Sequence, residues 1–115
     1  MTDRLRPILR GALTLAFLYF GLEKLLGLPA AVALYDALGF GQWPRYVTGT
    51  VETLGALALW TPFALPAAAV LIATMVVGFT AKTLLVGPPV LHIAILGVLT
   101  LILLLMDVRA RTRRA

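Results

Sequence analysis

Residues 64–106 read ALPAAAVLIATMVVGFTAKTLLVGPPVLHIAILGVLTLILLLM, two long apolar runs parted by Gly87-Pro88-Pro89 and carrying two ionisable side chains, Lys82 and His92. Each run approaches the roughly 20 apolar residues that a helix needs to cross the hydrocarbon of a bilayer. The prolines end the first helix, because they lack an amide proton and clash with the preceding turn, and they force a bend before the second. The stretch therefore predicts a membrane-crossing helical hairpin over residues 64–86 and 90–106.

The rest of the chain extends the pattern. A run over residues 7–28 has Arg4, Arg6 and Arg10 around its start and carries no charge between Leu13 and Leu22. It exceeds a signal-peptide core and no small-residue cleavage site follows cleanly, so it is expected to stay in the protein. Another run opens at Pro44, a favoured first-turn residue, and reaches residue 61, where Pro62 and Pro66 bracket a short turn. With 61% hydrophobic residues and a mean hydropathy of +0.98, the composition excludes an ordinary soluble domain. The expected fold is all-α, one integral membrane four-helix bundle filling residues 1–115, with spans near residues 7–28, 44–61, 64–86 and 90–106.

Residues 29–43 form the one connection long enough to hold structure. Ala31, Leu34, Ala37 and Leu38 recur at helical spacing, and Gly39, Gly41 and Pro44 mark an end, which predicts a short interfacial helix between the first and second spans. Tyr35, Trp43 and Tyr46 suit headgroup depth; a plain loop with interfacial aromatics is the alternative. Seven of the ten lysines and arginines flank the two chain ends, namely Arg4, Arg6, Arg10, Arg109, Arg111, Arg113 and Arg114. Basic flanks stay on the cytoplasmic side and an even number of spans returns the chain to its starting face, so both termini are expected to be cytoplasmic. The net charge of +5 is then a topology signal and a contact for anionic lipid, and no nucleic-acid partner is expected.

Glu52 and Lys82 lie inside spans, and Glu23, Lys24 and His92 lie near span ends. A charge in hydrocarbon costs several kcal/mol or finds a partner. With a rise of about 1.5 Å per residue, Lys24, Glu52, Lys82 and His92 all fall roughly 7–10 Å below the outer boundary, one from each span. Such convergence predicts one outward-facing polar pocket, with Glu52 paired to Lys24 or Lys82. Thr48, Glu52 and Ala56 share a face flanked by Gly49 and Gly55, and Gly21 accompanies Lys24, so Gly21, Gly49 and Gly55 are expected to pack helices closely. The bland alternatives are an ion pair that only holds helices in register, lysines that snorkel to the interface, a Glu23 that faces headgroups and a His92 that caps a helix.

Absences narrow the chemistry. Without cysteine there is no disulfide exchange and no thiolate ligand, and one histidine cannot supply two axial haem ligands within a chain. No glycine-rich phosphate loop, Ser-His-Asp set or paired metal carboxylates occur. A self-contained enzyme is not expected, nor a metal site or a covalently bound cofactor.

The run Phe17-Leu18-Tyr19-Phe20-Gly21-Leu22-Glu23-Lys24-Leu25 resembles the first-helix signature of DoxX and DoxX-like membrane proteins, an aromatic-rich stretch followed by Gly and Lys-Leu. Leu38-Gly39-Phe40 with Trp43-Pro44 is similar to the link that follows in that family, and Gly49-Thr50-Val51-Glu52-Thr53-Leu54-Gly55-Ala56 to its second-helix Gly-x-x-Glu-x-x-Gly pattern. The resemblance covers nearly the whole chain. It implies a four-helix bundle in a prokaryotic cytoplasmic (inner) membrane, since some members are named as small subunits of quinol oxidases or thiosulfate:quinone oxidoreductases and others are linked to oxidative-stress assemblies. Gly21, Lys24, Gly49, Glu52 and Gly55 are the matching positions, with no catalytic role to carry over. Relatives often have a histidine near the outer end of the third helix, where this chain has Lys82; a histidine role would then pass to His92.

Three functions compete. The first is a non-catalytic accessory subunit of a quinone-linked membrane redox system, whose outer pocket around Glu52 holds a quinone between Phe17, Phe20, Trp43 and the polar cluster, with redox subunits or a second copy of the chain as partners in the bilayer. The second is a small proton-coupled transporter of the multidrug type, against which stand the second-span position of the carboxylate and the lysines around it. The third is an assembly factor that meets other membrane proteins through Ala64, Ala67, Ala68 and Ala69.

Overall fold

The computed structural model describes residues 2–88 and 90–114. Pro89 of the predicted break lies outside the described residues, as do the side chains of Arg113 and Arg114. Among the described residues the chain is all-helical: α1 spans Thr2–Leu26, α2 Pro29–Leu38, α3 Trp43–Ala58, α4 Ala64–Leu85 and α5 Leu91–Arg114. α1, α4 and α5 are long and apolar enough to cross a membrane, and the protein is a membrane protein on that ground. α3, with 16 residues, is shorter than the roughly 17–25 residues of a full crossing.

Helix ends depart from the hydrophobic runs in two places. α1 begins at Thr2 and takes Pro7 into its interior, whereas the proline marks a start by sequence rules. α5 runs through Asp107 to Arg114, because alanine and arginine are good helix formers and the charge at Asp107 finds partners. An apolar run thus measures the lipid-compatible part of a helix, not its hydrogen-bonded length.

The short helix α2 has Pro29 in its first turn and closes at Gly39, whose φ of 86° lets its amide reach Tyr35 O. Its inward face departs from the one the spacing suggests at Tyr35 and Ala37. Ala31 and Tyr35 are buried, Leu34 and Leu38 are half-buried and Ala37 is exposed. Tyr35 therefore points into the protein, while Trp43 and Tyr46 lie on the outside.

α1, α3, α4 and α5 pack in a circuit in which α1 touches α3, α3 touches α4, α4 touches α5 and α5 returns to α1. The core draws on all four: Leu13 and Phe17 of α1, Ala56 of α3 with Leu59 just beyond it, Ala68, Leu71 and Met75 of α4, and Leu96 and Leu103 of α5. Two close approaches permit it. A Cβ on Gly21 would meet Gly49 O at 3.0 Å, and one on Gly49 would meet Gly21 O at 2.9 Å, so α1 and α3 touch backbone to backbone; a Cβ on Gly55 would press Leu71 of α4 at 2.9 Å. The outward faces carry exposed Leu15, Val76, Leu91, Val98 and Leu105, a far larger apolar surface than a soluble protein leaves uncovered.

Opposite ends of the molecule hold different polar layers. At one end Asp107 is 3% exposed and takes hydrogen bonds from Arg6 at 2.9 Å and from Arg10. Arg10 also donates to Leu59 O at 2.6 Å and lies over the Trp60 ring, 5.8 Å from its centroid, while Trp60 Nε1 donates to Thr14 Oγ1 at 2.8 Å. This cluster ties the start of α1 to the end of α5, so both chain ends lie at the same end of the molecule. The other end carries α2 and the candidate site.

Candidate functional site

The close approach of α1 and α3 positions the central ion pair. Gly21 and Gly49 each precede a charged residue by three positions, so Lys24 and Glu52 leave neighbouring turns of two touching helices. Side chains on a helix slope toward its N-terminus, and Lys24 does so: its Nζ folds back to 3.5 Å from Phe20 O and 5.6 Å from the Phe20 ring centroid. There it lies 2.8 Å from Glu52 Oε1. The pair is close but not well aligned as a hydrogen bond, and Glu52 Oε2 has no partner among the described residues. Glu52 is 1% exposed, so its negative charge depends on Lys24 rather than on water.

Beside this pair opens a cavity of about 500 Å³, lined by all five helices, within the common range of ligand sites of about 300–1,000 Å³. Its polar groups are Lys24 of α1, Tyr35 of α2, Thr48 and Glu52 of α3, Thr74 and Lys82 of α4 and His92 of α5; its other walls are mainly apolar. The His92 ring lies 5.7 Å from the Phe20 centroid at a 31° tilt. Burial pushes the Tyr35 phenol above its ordinary range, and Glu52 adds to that, while the Thr48 hydroxyl and Arg45 oppose it. The phenol thus stays protonated at neutral pH and can act as a donor.

Of the five ionisable residues singled out by sequence, Lys24, Glu52, Lys82 and His92 line this one cavity and Glu23 does not. Lys24 pairs with Glu52; Lys82 has no ion-pair partner among the described residues. Phe20 lines the cavity, but Phe17 and Trp43 do not. Phe17 is fully buried in the core and Trp43 is 66% exposed, since a position at the right depth does not fix the direction in which a ring points.

Sequence reasoning also passed over two groups. Arg45, next to the Pro44 that opens the second run, is 6% exposed. Its guanidinium donates to Lys24 O at the end of α1 and to Gln42 Oε1 at 2.8 Å, and Gln42 in turn donates to Asp36 Oδ1 at 2.7 Å and Val32 O at 3.2 Å. This chain of bonds joins α1, α2 and α3. Gly27 makes room for it: at φ 70° a side chain is already disfavoured, and a Cβ would come 3.1 Å from Arg45. Asp107, the residue just after the last apolar run, is the centre of the opposite cluster. Arg6 and Arg10 recur four residues apart on one face of α1, a signal that could have pointed to an acidic partner.

Residues 8–106 match the sequence model of the DoxX-like family. The chain belongs to the DoxX-like family. No curated protein and no solved structure matches it. The match runs from the first turns of α1 through nearly all of the apolar part of α5, and so takes in every cavity-lining residue of this DoxX-like protein. The residues that suggested the family, Gly21, Lys24, Gly49, Glu52 and Gly55, fall at the contact between α1 and α3, at the ion pair and at the contact between α3 and α4.

Proposed function

We propose that this DoxX-like protein is a four-helix bundle of a prokaryotic inner membrane, with both termini cytoplasmic and α2 at the outer interface, and that it serves as an accessory subunit of a quinone-linked redox system. Support for four crossings comes from the three long apolar helices, from the circuit that α3 completes with them, and from a long axis of 47 Å against about 40–45 Å for a bilayer with its headgroups. Leu59 to Pro62 continue α3 as turns and supply the missing length. Support for the sidedness comes from the arginines gathered at the end that holds both termini.

The observation that carries the functional reading is the cavity: an apolar slot with Tyr35, Lys24, Lys82 and His92 as hydrogen-bonding groups near the end roofed by α2. A quinone needs an apolar enclosure for its ring and tail and a few donors for its carbonyl oxygens. Drug-proton exchange is less well served, because Lys24 sits against the carboxylate and Lys82 repels a cationic drug from the same cavity. Assembly through the alanines of α4 is weaker too, since Ala64 and Ala68 are buried within the chain itself. The test combines Glu52→Gln and Lys24→Met with two measurements, co-purification of redox subunits from native membranes and quinone-dependent electron flow. The double variant Lys24→Met/Glu52→Gln, which is expected to keep most of the stability, separates function from unfolding: loss of either measurement in the folded double variant supports the reading, and wild-type behaviour in all three variants refutes it.

A further inference from the structure

Most of the cavity's lining from α4 is a single stripe, with Met75 beside it. Val70, Ala73, Thr74, Val77, Gly78, Ala81 and Lys82 follow one another at the three- and four-residue steps of one helix face, so the stripe runs roughly 18 Å along the axis. It is apolar along its length. The Thr74 hydroxyl donates to Val70 O at 2.8 Å and so presents no spare donor, and Gly78 adds no bulk. At its end stands Lys82, half-buried and without an ion-pair partner among the described residues. His92, from the first turn of α5, lines the same cavity and lies within electrostatic reach of Lys82.

The charges around the cavity do not balance. Lys24 and Glu52 neutralise each other at 2.8 Å. Glu23, whose charge reaches His92, neither lines the cavity nor pairs with Lys82 among the described residues, which leaves the Lys82 ammonium as the unpaired charge of the lining. Next to low-dielectric walls such a charge interacts far more strongly than in water, and it remains uncompensated when the cavity holds a neutral or cationic head group. We propose that the cavity selects a single-tailed amphiphile with an anionic head, a fatty carboxylate, whose head meets Lys82 and His92 and whose tail follows the α4 stripe toward Val70. A volume of about 500 Å³ suits one tail with its head. The proposal rests on the proposed function only in taking this cavity as an amphiphile site, and it replaces the neutral quinone head with an anionic one.

His92 is the chain's single histidine, so histidine-labelled full-length protein in zwitterionic nanodiscs gives one imidazole signal at the site. Dodecanoate, dodecanol, dodecyltrimethylammonium and decylubiquinone are titrated against it. Dodecanoate is expected to move the signal saturably, with about ten-fold or greater preference over dodecanol, equivalent to about 1.4 kcal/mol, and dodecyltrimethylammonium is expected not to compete. Lys82→Met should bring dodecanoate down to the dodecanol level, and Lys82→Arg should retain the preference. Equal binding of dodecanoate and dodecanol by the wild type overturns the proposal without any variant, and so does a preference that survives Lys82→Met. Decylubiquinone binding without an anion preference overturns this inference and leaves the amphiphile site standing. Failure of every probe to move His92 overturns both.

Discussion

At the residue scale the decisive group is Glu52, a carboxylate 1% exposed with one ammonium against one of its oxygens. Removing one member of a buried pair leaves an uncompensated charge and costs about 3–5 kcal/mol, whereas removing both is often close to neutral. Lys24→Met is therefore expected to lower stability strongly, and Lys24→Met with Glu52→Gln to recover most of the loss. Thermal unfolding in detergent of the two single variants and the double variant checks this; strictly additive losses would show that the 2.8 Å contact carries no coupling. The presence of Glu52 and Lys24 at one depth is legible from spacing alone. That Lys24 rather than Lys82 becomes the partner is not, because the choice depends on Gly21 and Gly49 bringing α1 against α3 and on the backward slope of the lysine.

Elements show the same division. Glycines that look alike in the sequence have unlike surroundings: a Cβ on Gly49 meets Gly21 O at 2.9 Å, while a Cβ on Gly78 meets nothing within 4 Å. Gly49→Ala is expected to force α1 and α3 apart and to cost about 1–3 kcal/mol, as overpacking does. Gly78→Ala is expected to stabilise α4 by about 0.5–1 kcal/mol by removing backbone freedom. Unfolding midpoints of the two variants side by side test the close approach, since equal shifts would contradict it. The helix Pro29–Leu38 is legible from its proline start and glycine stop, but its buried face is not, because helical spacing marks a stripe without saying which neighbours the stripe will meet. Tyr35 is buried beside Ala31, while Ala37 of the expected stripe is exposed.

Over the whole molecule, the prediction concerns sidedness. Phe40, exposed in the connection between α2 and α3, and Thr112, exposed near the end of α5, lie at opposite ends of the molecule, and the chain has no cysteine of its own. In intact cells a membrane-impermeant maleimide should label Phe40→Cys directly and Thr112→Cys only after permeabilisation. Labelling of both from one side would contradict an even number of crossings with cytoplasmic termini. The cluster of Arg6, Arg10 and Asp107 belongs to this scale too, since it closes the circuit of helices at the end away from the cavity and leaves the other end to α2 and its Arg45 joint.

By itself the sequence determined the class of protein, the long apolar helices and the family, and it set Lys24, Glu52, Lys82 and His92 at a common depth, because hydropathy, proline and glycine punctuation and charge placement act locally along a chain. The tertiary structure alone decided which of those residues meet: that Lys24 takes Glu52, that Lys82 and His92 face one cavity while Glu23, Phe17 and Trp43 do not, and that Arg45 and Asp107 are buried anchors. The reason is geometric. Depth follows from counting residues along a helix, but the direction in which a side chain points around the axis, and the neighbour it finds there, follow only from how closely the helices approach.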